Sequence, residues 1–539
     1  MSALPGWVSV ADYMTPVSGV PDDATCAANT KGLTEAVAAV QAKAGGTLYF
    51  PPGRWPITKA VSQFYGVKLQ DAVNLRFLGD QGAILALAGN QGNTDAYLLQ
   101  LVNTRGLRFE NLSFSQRDAL HCNEQTHEVQ LGGSGGLALL NDDVQFIGCH
   151  FIEGAVGAGD GVRILGGDVQ NKQTRAVFDR CVFEGLTRSG ISVQRGSWDI
   201  NVSNCYFANI TTKQGIHFEP SGQVDVGRWR IVNNHFEACE ASLVGTDGTH
   251  QDKYSLFANN TINNNTLFLQ YCKGAIVTNN HIVADDASVS DALLLLYSNC
   301  EDVQIRNNYL SRGPHCVAAS TLEIDYHGTL GPDKIVIDGN IVHQFTNASL
   351  CECESVKHLE VTRNRFIYHG SATNISGVYL QSHAASPDLY FAGNYVESER
   401  QADGIKPAGT LTSLVNIESG FGGVVGQVVV INNRGVRVEV GLRDQNAPAA
   451  HTNGIPLVTG NVLDSTATGV VGGTGNLLTY WGVAGTPGLL GILQGTIDPE
   501  GVIPSQQGST YQRLNGDASA LYFKRTGTGK TGWVALTVP

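Results

Sequence analysis

Methionine is almost missing from this chain of 539 residues, with only 2, and charge is thin, with Asp, Glu, Lys and Arg together making 15%. No apolar stretch approaches the roughly 20 residues that a membrane-spanning helix needs, and Leu293 to Leu296 is at most a buried strand. No Lys/Arg cluster interrupts the formal net charge of −13, so non-specific nucleic-acid binding lacks its electrostatic basis. Neither nucleic acid nor membrane insertion is expected. The opening residues, Met1-Ser-Ala-Leu-Pro-Gly-Trp7, show no charged segment followed by an apolar one, so no signal peptide is expected. A phosphate loop, a serine nucleophile elbow and a dinucleotide fingerprint are also lacking.

Glycine, in contrast, is abundant, with 64 residues, and a short phrase keeps returning. It reads apolar, any, apolar, any, any, Asn or Cys, any, apolar. It runs from Val144 to Phe151 around Cys149, from Ala176 to Phe183 around Cys181, from Ile200 to Phe207 around Cys205 and from Trp229 to Phe236 around Asn234. Further copies centre on Asn260, Asn280, Asn308, Asn340, Asn364, Asn394, Asn433 and Asn461, and a degenerate one, Leu107 to Phe114, has Leu112 at the marker. The mean period is about 29 residues, inside the solenoid range. Each copy alternates apolar and polar residues like a half-buried strand, and strand-like runs such as Gly161-Val-Arg-Ile164, Gly190-Ile-Ser-Val193 and Gly215-Ile-His-Phe218 lie between copies. Three short strands per turn describe an all-β chain folded as a parallel β-helix over 61–465. No copy carries a helical period, and a propeller blade of about 40–45 residues is longer than most intervals. The marker Asn tolerates left-handed backbone and can bond its equivalents in adjacent coils. Cys149, Cys181 and Cys205 continue the stack as small apolar thiols, and Cys272 and Cys300 agree in register. The simplest account of 11 cysteines is buried, reduced thiols in a protein made in the cytoplasm.

Residues 1–60 are not a coil copy. Thr30 to Ala44 reads as a short amphipathic helix with Leu33, Val37 and Val40 on one face, placed to cap the open end of the solenoid. Val8-Ser-Val-Ala-Asp12, Pro21-Asp-Asp23, this helix and Gly45-Gly-Thr-Leu-Tyr-Phe-Pro-Pro-Gly53, taken in order, resemble the opening motif of pectate-lyase-superfamily right-handed β-helix proteins. One departure is Tyr13 after Asp12, where that family usually has a Phe-Gly pair. Residues 466–494 form a Gly-rich connection. The module at 495–539 contains Glu500-Gly-Val-Ile503, Gly508-Ser-Thr-Tyr511 and Gly527-Thr-Gly-Lys-Thr-Gly-Trp-Val534, and it resembles the C-terminal module of many phage tailspikes and tail fibres. The residues themselves read as three short strands joined by Gly turns. The resemblance implies a homotrimer on a virion tail, assembled in the host cytoplasm and held by baseplate or tail proteins. It also implies recognition, and often depolymerisation, of a bacterial capsule or O-antigen polysaccharide.

A β-helix converts register into distance, because outward side chains in adjacent coils stand roughly 4.8 Å apart. Carboxylates so placed approach the roughly 5 Å of retaining glycosidases, and offset ones the roughly 6.5–9.5 Å of inverting enzymes. Thr321-Leu-Glu-Ile-Asp325 is followed one coil later by Leu350-Cys-Glu-Cys-Glu354. With Leu322, Ile324, Cys351 and Cys353 inward, Glu323, Asp325, Glu352 and Glu354 share an outward patch. The next strand, Val378 to His383, adds Tyr379, Gln381 and His383. Paired acids supply a general acid by raising each other's pKa, and aromatic and amide neighbours suit a sugar. A solvated acidic face, with or without a structural Ca²⁺, is the plainer alternative.

A second strip centres on Gly215-Ile-His-Phe-Glu-Pro-Ser221. His217 and Glu219 should face outward, in line with Ser192 and Gln194 one coil back and with Arg163 and Leu165 two coils back, and Asp247 joins from the following coil. Such a strip suits an anionic sugar and acid–base work. A structural turn is its rival. The stretch from His121 to His127, with Glu124 and Glu128, reads as a surface loop rather than a metal site, since its spacing is irregular and Gly132-Gly-Ser-Gly-Gly136 follows. Cys351-Glu-Cys353 reads as buried strand thiols. No metal site and no required cofactor are expected. Three functions compete: a depolymerase hydrolysing with paired carboxylates, a polysaccharide lyase using Arg163, His217 and Glu219, and a purely adhesive tail fibre. An exported bacterial lyase or epimerase fits the ends of the chain least.

Overall fold

The computed structural model describes residues 6–43, 45–60, 62–132, 141–166, 175–195, 197–212, 214–218, 225–244, 251–325, 331–370, 375–382, 388–398, 411–419, 427–436, 438–444, 457–459, 461–463, 469–472, 479–481, 492–495, 500, 510–513, 521–526 and 532–536. The chain divides into two compact units, Met1–His281 and Ile282–Pro539.

In the first unit each coil contributes one short strand to each of three parallel sheets. One coil runs through Asp142–Ile147 on a first face, His150–Ile152 on a second and Val162–Leu165 on a third. The next runs through Ala176–Asp179, Val182–Glu184 and Ser189–Arg195. Phe146 lies beside Phe178, Phe151 beside Phe183 and Val162 beside Ile191. This is the parallel β-helix that the repeat predicts. The apolar positions of the phrase fill its interior. Phe50, Phe77, Phe109, Phe146 and Phe178 stack from coil to coil with centroids 4.6–6.3 Å apart. On the second face Phe114, Phe151, Phe183, Phe207 and Phe236 do the same at 4.7–5.0 Å.

The marker turns the corner between the first and second faces. Oδ1 of Asn260 accepts from both the backbone N (2.9 Å) and Nδ2 (3.0 Å) of Asn234, and Asn280 serves Asn260 in the same way. Cys205 joins the ladder through its N–H to Asn234 Oδ1 at 2.9 Å. The left-handed residue is not the marker itself. It is the residue before it: Asn111, Arg180, Asn204, Asn233, Asn259 and Asn279 all have φ between 52° and 59°. The marker is thereby free to spend its amide on the neighbouring coil.

The helix spans Asp23–Gln41, starting well before Thr30. Asp22 caps it by accepting from Thr25 N at 2.6 Å. Its buried side includes the polar Asn29, whose carboxamide bonds Thr15 and Pro56. A polar residue on the covered face hides the first turns from a purely apolar period. Among the described residues no helix is long and apolar enough to cross a membrane. All eleven cysteines are free thiols, and all but Cys122 are buried.

The second unit repeats the plan with Leu294–Tyr297, Leu322–Asp325, Cys351–Glu354 and Ser376–Ser382 as successive strands of its third face. Its ladder passes through Asn308, Asn340, Asn364, Asn394, Asn433 and Asn461. The third-face sheet continues to Gly469–Gly472. A separate five-stranded sheet follows: Thr479–Trp481, Ile492–Gly495, Thr510–Arg513, Leu521–Lys524 and Trp533–Leu536. Its first two strands come from the stretch read as a Gly-rich connection. The Glu500 carboxylate fastens one turn by accepting from the N–H groups of Gly532 and Trp533.

Candidate functional site

On the third face of the second unit, alternation places Leu322, Ile324, Cys351, Cys353, Val378 and Leu380 in the core. The residues between them face outward. Leu295 lies beside Glu323, Glu323 beside Glu352, Glu352 beside Tyr379 and Tyr379 beside Asn416, an unbroken in-register row. The adjoining row brings Tyr297 beside Asp325 and Glu354 beside Gln381. The four acids expected together are therefore together, with Tyr379 and Gln381. His383 lies outside the described residues.

The four carboxylates differ in environment. Glu323 is half-buried, and burial pushes its carboxyl up to about 7, with the charges of Glu352, Asp325, Glu354 and Asp291 adding to the effect. Glu352 accepts a hydrogen bond from Ser320 Oγ at 2.9 Å. Sequence reasoning missed Ser320, Asp291 and Asn416. The first two sit on loops, where no alternation reports direction, and Asn416 lies one coil beyond the strands compared.

Two loops feeding this face are tied by Arg312, which is fully buried at the end of Tyr309–Arg312. Its guanidinium donates to the carbonyls of Val289 (3.0 Å), Asp291 (2.5 Å) and Val317 (2.7 and 3.1 Å). Gln344, beside it in register, holds Ala319 O and Ser349 O and accepts from Thr321 Oγ1. These buried side chains hold the chain on both sides of Ser320, in the loop that leads to Glu323.

The strip around His217 lies on the third face of the first unit. Arg163, Ser192 and His217 are in register as expected. A register shift after Ile164 sets Leu165 beside Arg195 rather than Gln194. The Gln194 carboxamide nevertheless reaches back to accept from Arg163 Nε at 3.1 Å. Glu219 and Asp247 lie outside the described residues. The acid found beside the imidazole is Glu240, with Oε1 3.9 Å from His217 Nδ1.

His127 and Glu128 are not on a surface loop. Thr126–Leu131 is a wholly buried strand. His127 Nδ1 accepts from Asp160 N at 3.0 Å and lies 3.3 Å from Asp160 Oδ2, and its ring stacks on Tyr97. Burial, with Arg163 and Arg188 nearby, holds this imidazole neutral. Burial, with Glu153 nearby, pushes the Glu128 carboxyl well up, so it is held protonated. The alternation Thr-His-Glu-Val-Gln-Leu was the available signal for this strand. Among the described residues no group of His, Cys, Asp and Glu is arranged to hold a metal ion.

A family model for the right handed beta helix region matches residues 135–310. No curated protein matches the sequence. Solved structures similar to this chain include the mannuronan C-5 epimerase AlgE6 A-module of Azotobacter vinelandii, at 14% identity and a TM-score of 0.40, covering 85% of this chain and 99% of that one. A mutant tailspike protein of the E. coli bacteriophage HK620, in complex with a hexasaccharide, aligns at 13% identity and a TM-score of 0.45, over 98% and 92% of the two chains. Tailspike protein 3 of bacteriophage CBA120 aligns at 13% identity and a TM-score of 0.37, over 96% and 67%.

Proposed function

We propose that this chain binds a bacterial surface polysaccharide, a capsule or O-antigen, and depolymerises it by glycoside hydrolysis at the acidic row of the second unit. The observation that carries this reading is the adjacency of Glu323 and Glu352 in one outward row, with the Glu323 carboxyl raised to about 7. A carboxyl protonated near neutrality can protonate a glycosidic oxygen as it leaves. Glu352, held by Ser320, is the partner that meets the developing positive charge on the sugar. One strand spacing, about 4.8 Å, is the separation class of retaining glycosidases. Tyr379 extends the row, offering a ring to stack on. The resemblance of the last 45 or so residues to tailspike modules supports a phage tail as the setting, with trimeric assembly and attachment to tail proteins as parts of the same proposal.

The test is incubation with purified host polysaccharide. New reducing ends without an unsaturated product are expected, and the product should keep the anomeric configuration. Glu323→Gln and Glu352→Gln should each lose about 100-fold or more of the rate. Shortening with an unsaturated product would assign elimination instead. Binding without any shortening would assign an adhesin.

A further inference from the structure

We propose that the third face of the first unit carries a separate, non-catalytic receptor site for a carboxylate-bearing sugar, seated between Arg163 and His217 over Ser192. It rests on the polysaccharide reading for its ligand class only, not on the hydrolysis.

Gln100, Gln130, Arg163, Ser192 and His217 form one in-register row across five strands. Its last three positions run large, small, large. Arg163 and His217 are two strand spacings apart, about 9.6 Å, with the short Ser192 between them. That gap matches a planar carboxylate plus a hydrogen bond on each side. The guanidinium is already oriented: Nε and Nη2 donate to Gln194 Oε1, and Nη1 donates to Gln125 Oε1. Nη1 also lies 3.4 Å from His127 Nε2. A guanidinium held in place loses little freedom on binding, and its positive charge and remaining N–H hydrogens favour a carboxylate over a neutral hydroxyl. The His217 side chain keeps 22% of its surface open, so the row can be approached from solvent at its His217 end.

A second, independent observation points to a ligand. Ser192 is fully buried, and its hydroxyl has no hydrogen-bond partner among the described residues; the side-chain oxygen of Gln130, two strands away in the same row, is in the same state. Buried hydroxyls are nearly always bonded, and an unmade bond there costs the fold stability. A carboxylate oxygen arriving over Ser192 would accept that proton. Among the described residues, two nearby acids have partners of their own: Asp160 is engaged by His127 and Arg188, and Glu240 lies on the strand beyond His217.

The test is calorimetric titration of the full chain with a panel of uronate tetrasaccharides (galacturonate, glucuronate and mannuronate) and their neutral counterparts. At least one acidic member should bind tenfold or more tighter than its neutral counterpart. Inorganic phosphate should compete only weakly. Arg163→Gln should remove at least tenfold of that affinity, Arg163→Lys should restore part of it, and Ser192→Ala should lose severalfold. Because Arg163 also braces its neighbours, Ser192→Val and His217→Gln serve as second variants, each checked for an unchanged melting curve. Glu323→Gln should bind the acidic sugar like the parent chain. Equal affinity for acidic and neutral sugars, no binding across the panel, or full affinity in folded Ser192→Val and His217→Gln would each overturn the site. Absence of cleavage with Arg163-dependent binding retained would remove the hydrolase reading and leave this one standing.

Discussion

Glu323 offers the sharpest handle on the proposed chemistry, because its proton inventory is set by neighbours that can be removed singly. With the carboxyl at about 7, roughly 90% of molecules carry the proton at pH 6, against about 3% for a carboxyl at an ordinary value near 4.5. Hydrolysis that needs this proton should fall about tenfold per pH unit above pH 7. Burial is the largest cause of the shift and Glu352 the next. Glu352→Gln should therefore lower the Glu323 midpoint by about one pH unit without returning it to 4.5. Because that variant should be inactive, the midpoint is read by carbon NMR of labelled Glu323. Asp325→Asn, which removes a smaller contribution, should move the alkaline limb of kcat/KM in the same direction by less. The stability sign is opposite to that of an ion-paired acid. Between about 4.5 and 7 the folded chain holds a proton that the unfolded chain has released, so stability falls as pH rises through this window. A Glu323 midpoint at or below about 5 in the parent chain, or one that ignores Glu352→Gln, would refute the carboxylate pair.

Asn364→Ala should destabilise the second unit by about 3–6 kcal/mol: it removes the acceptor of Asn340 N and Nδ2 and the donor to Ile337 O in a sealed corner. Accelerated hydrogen exchange at the Asn340 amide would show it, and an unchanged rate would deny the ladder its role. Asp252 is buried with its carboxyl pushed up to about 7, chiefly by burial. Asp252→Asn should be stabilising by about 2 kcal/mol at pH 5 and by up to about 4 kcal/mol at pH 8 in denaturant titrations, and a variant that is equally destabilised at both pH values would contradict this. Arg312→Met strips the shared donor from the carbonyls of Val289, Asp291 and Val317. Limited proteolysis should then cut within 285–293 or 313–321 before anywhere else in the second unit, and cleavage confined to other segments would count against the tie.

The solenoid was legible because every coil solves the same problem with the same residues. An inward aromatic or aliphatic side chain two places from another, then a corner, then a third inward position, is a physical template, and Phe146, Cys149 and Phe151 meet it as fully as Phe257, Asn260 and Ile262. What the phrase could not show is how the corner shares its work. The left-handed backbone falls on Asn111, Arg180 or Asn233 and the coil-to-coil hydrogen bonds fall on the residue after. Both positions are often Asn, so composition alone does not separate them. The start of the helix was hidden for a related reason. Asn29 is buried by hydrogen bonds rather than by apolarity, and a hydrophobic period cannot see it.

The same distinction governs the sites. Glu323, Glu352 and Tyr379 were placed correctly beside one another because the residues flanking them, Leu322, Ile324, Cys351 and Cys353, declare the inward direction. Where a strand shifts register, as after Ile164 and after Gln214, the flanking pattern stops reporting direction, so Leu165 came to lie beside Arg195 rather than Gln194 and Glu240 went unplaced. Arg312 belongs to a third class. It lies beside Gln344, which lies beside Tyr368, which lies beside Ser398, and all four are buried polar side chains at one corner. Each is the fourth residue after a marker: Asn308, Asn340, Asn364 and Asn394. An Arg or Gln at the end of a strand reads by itself as a solvated side chain. At a fixed offset from a sealed ladder it must be inside, and a buried guanidinium needs acceptors. At the end of Tyr309–Arg312 the nearest acceptors are the carbonyls of the loops on either side. The loops that frame the acidic row are thus held by residues whose position, rather than whose chemistry, was written in the repeat.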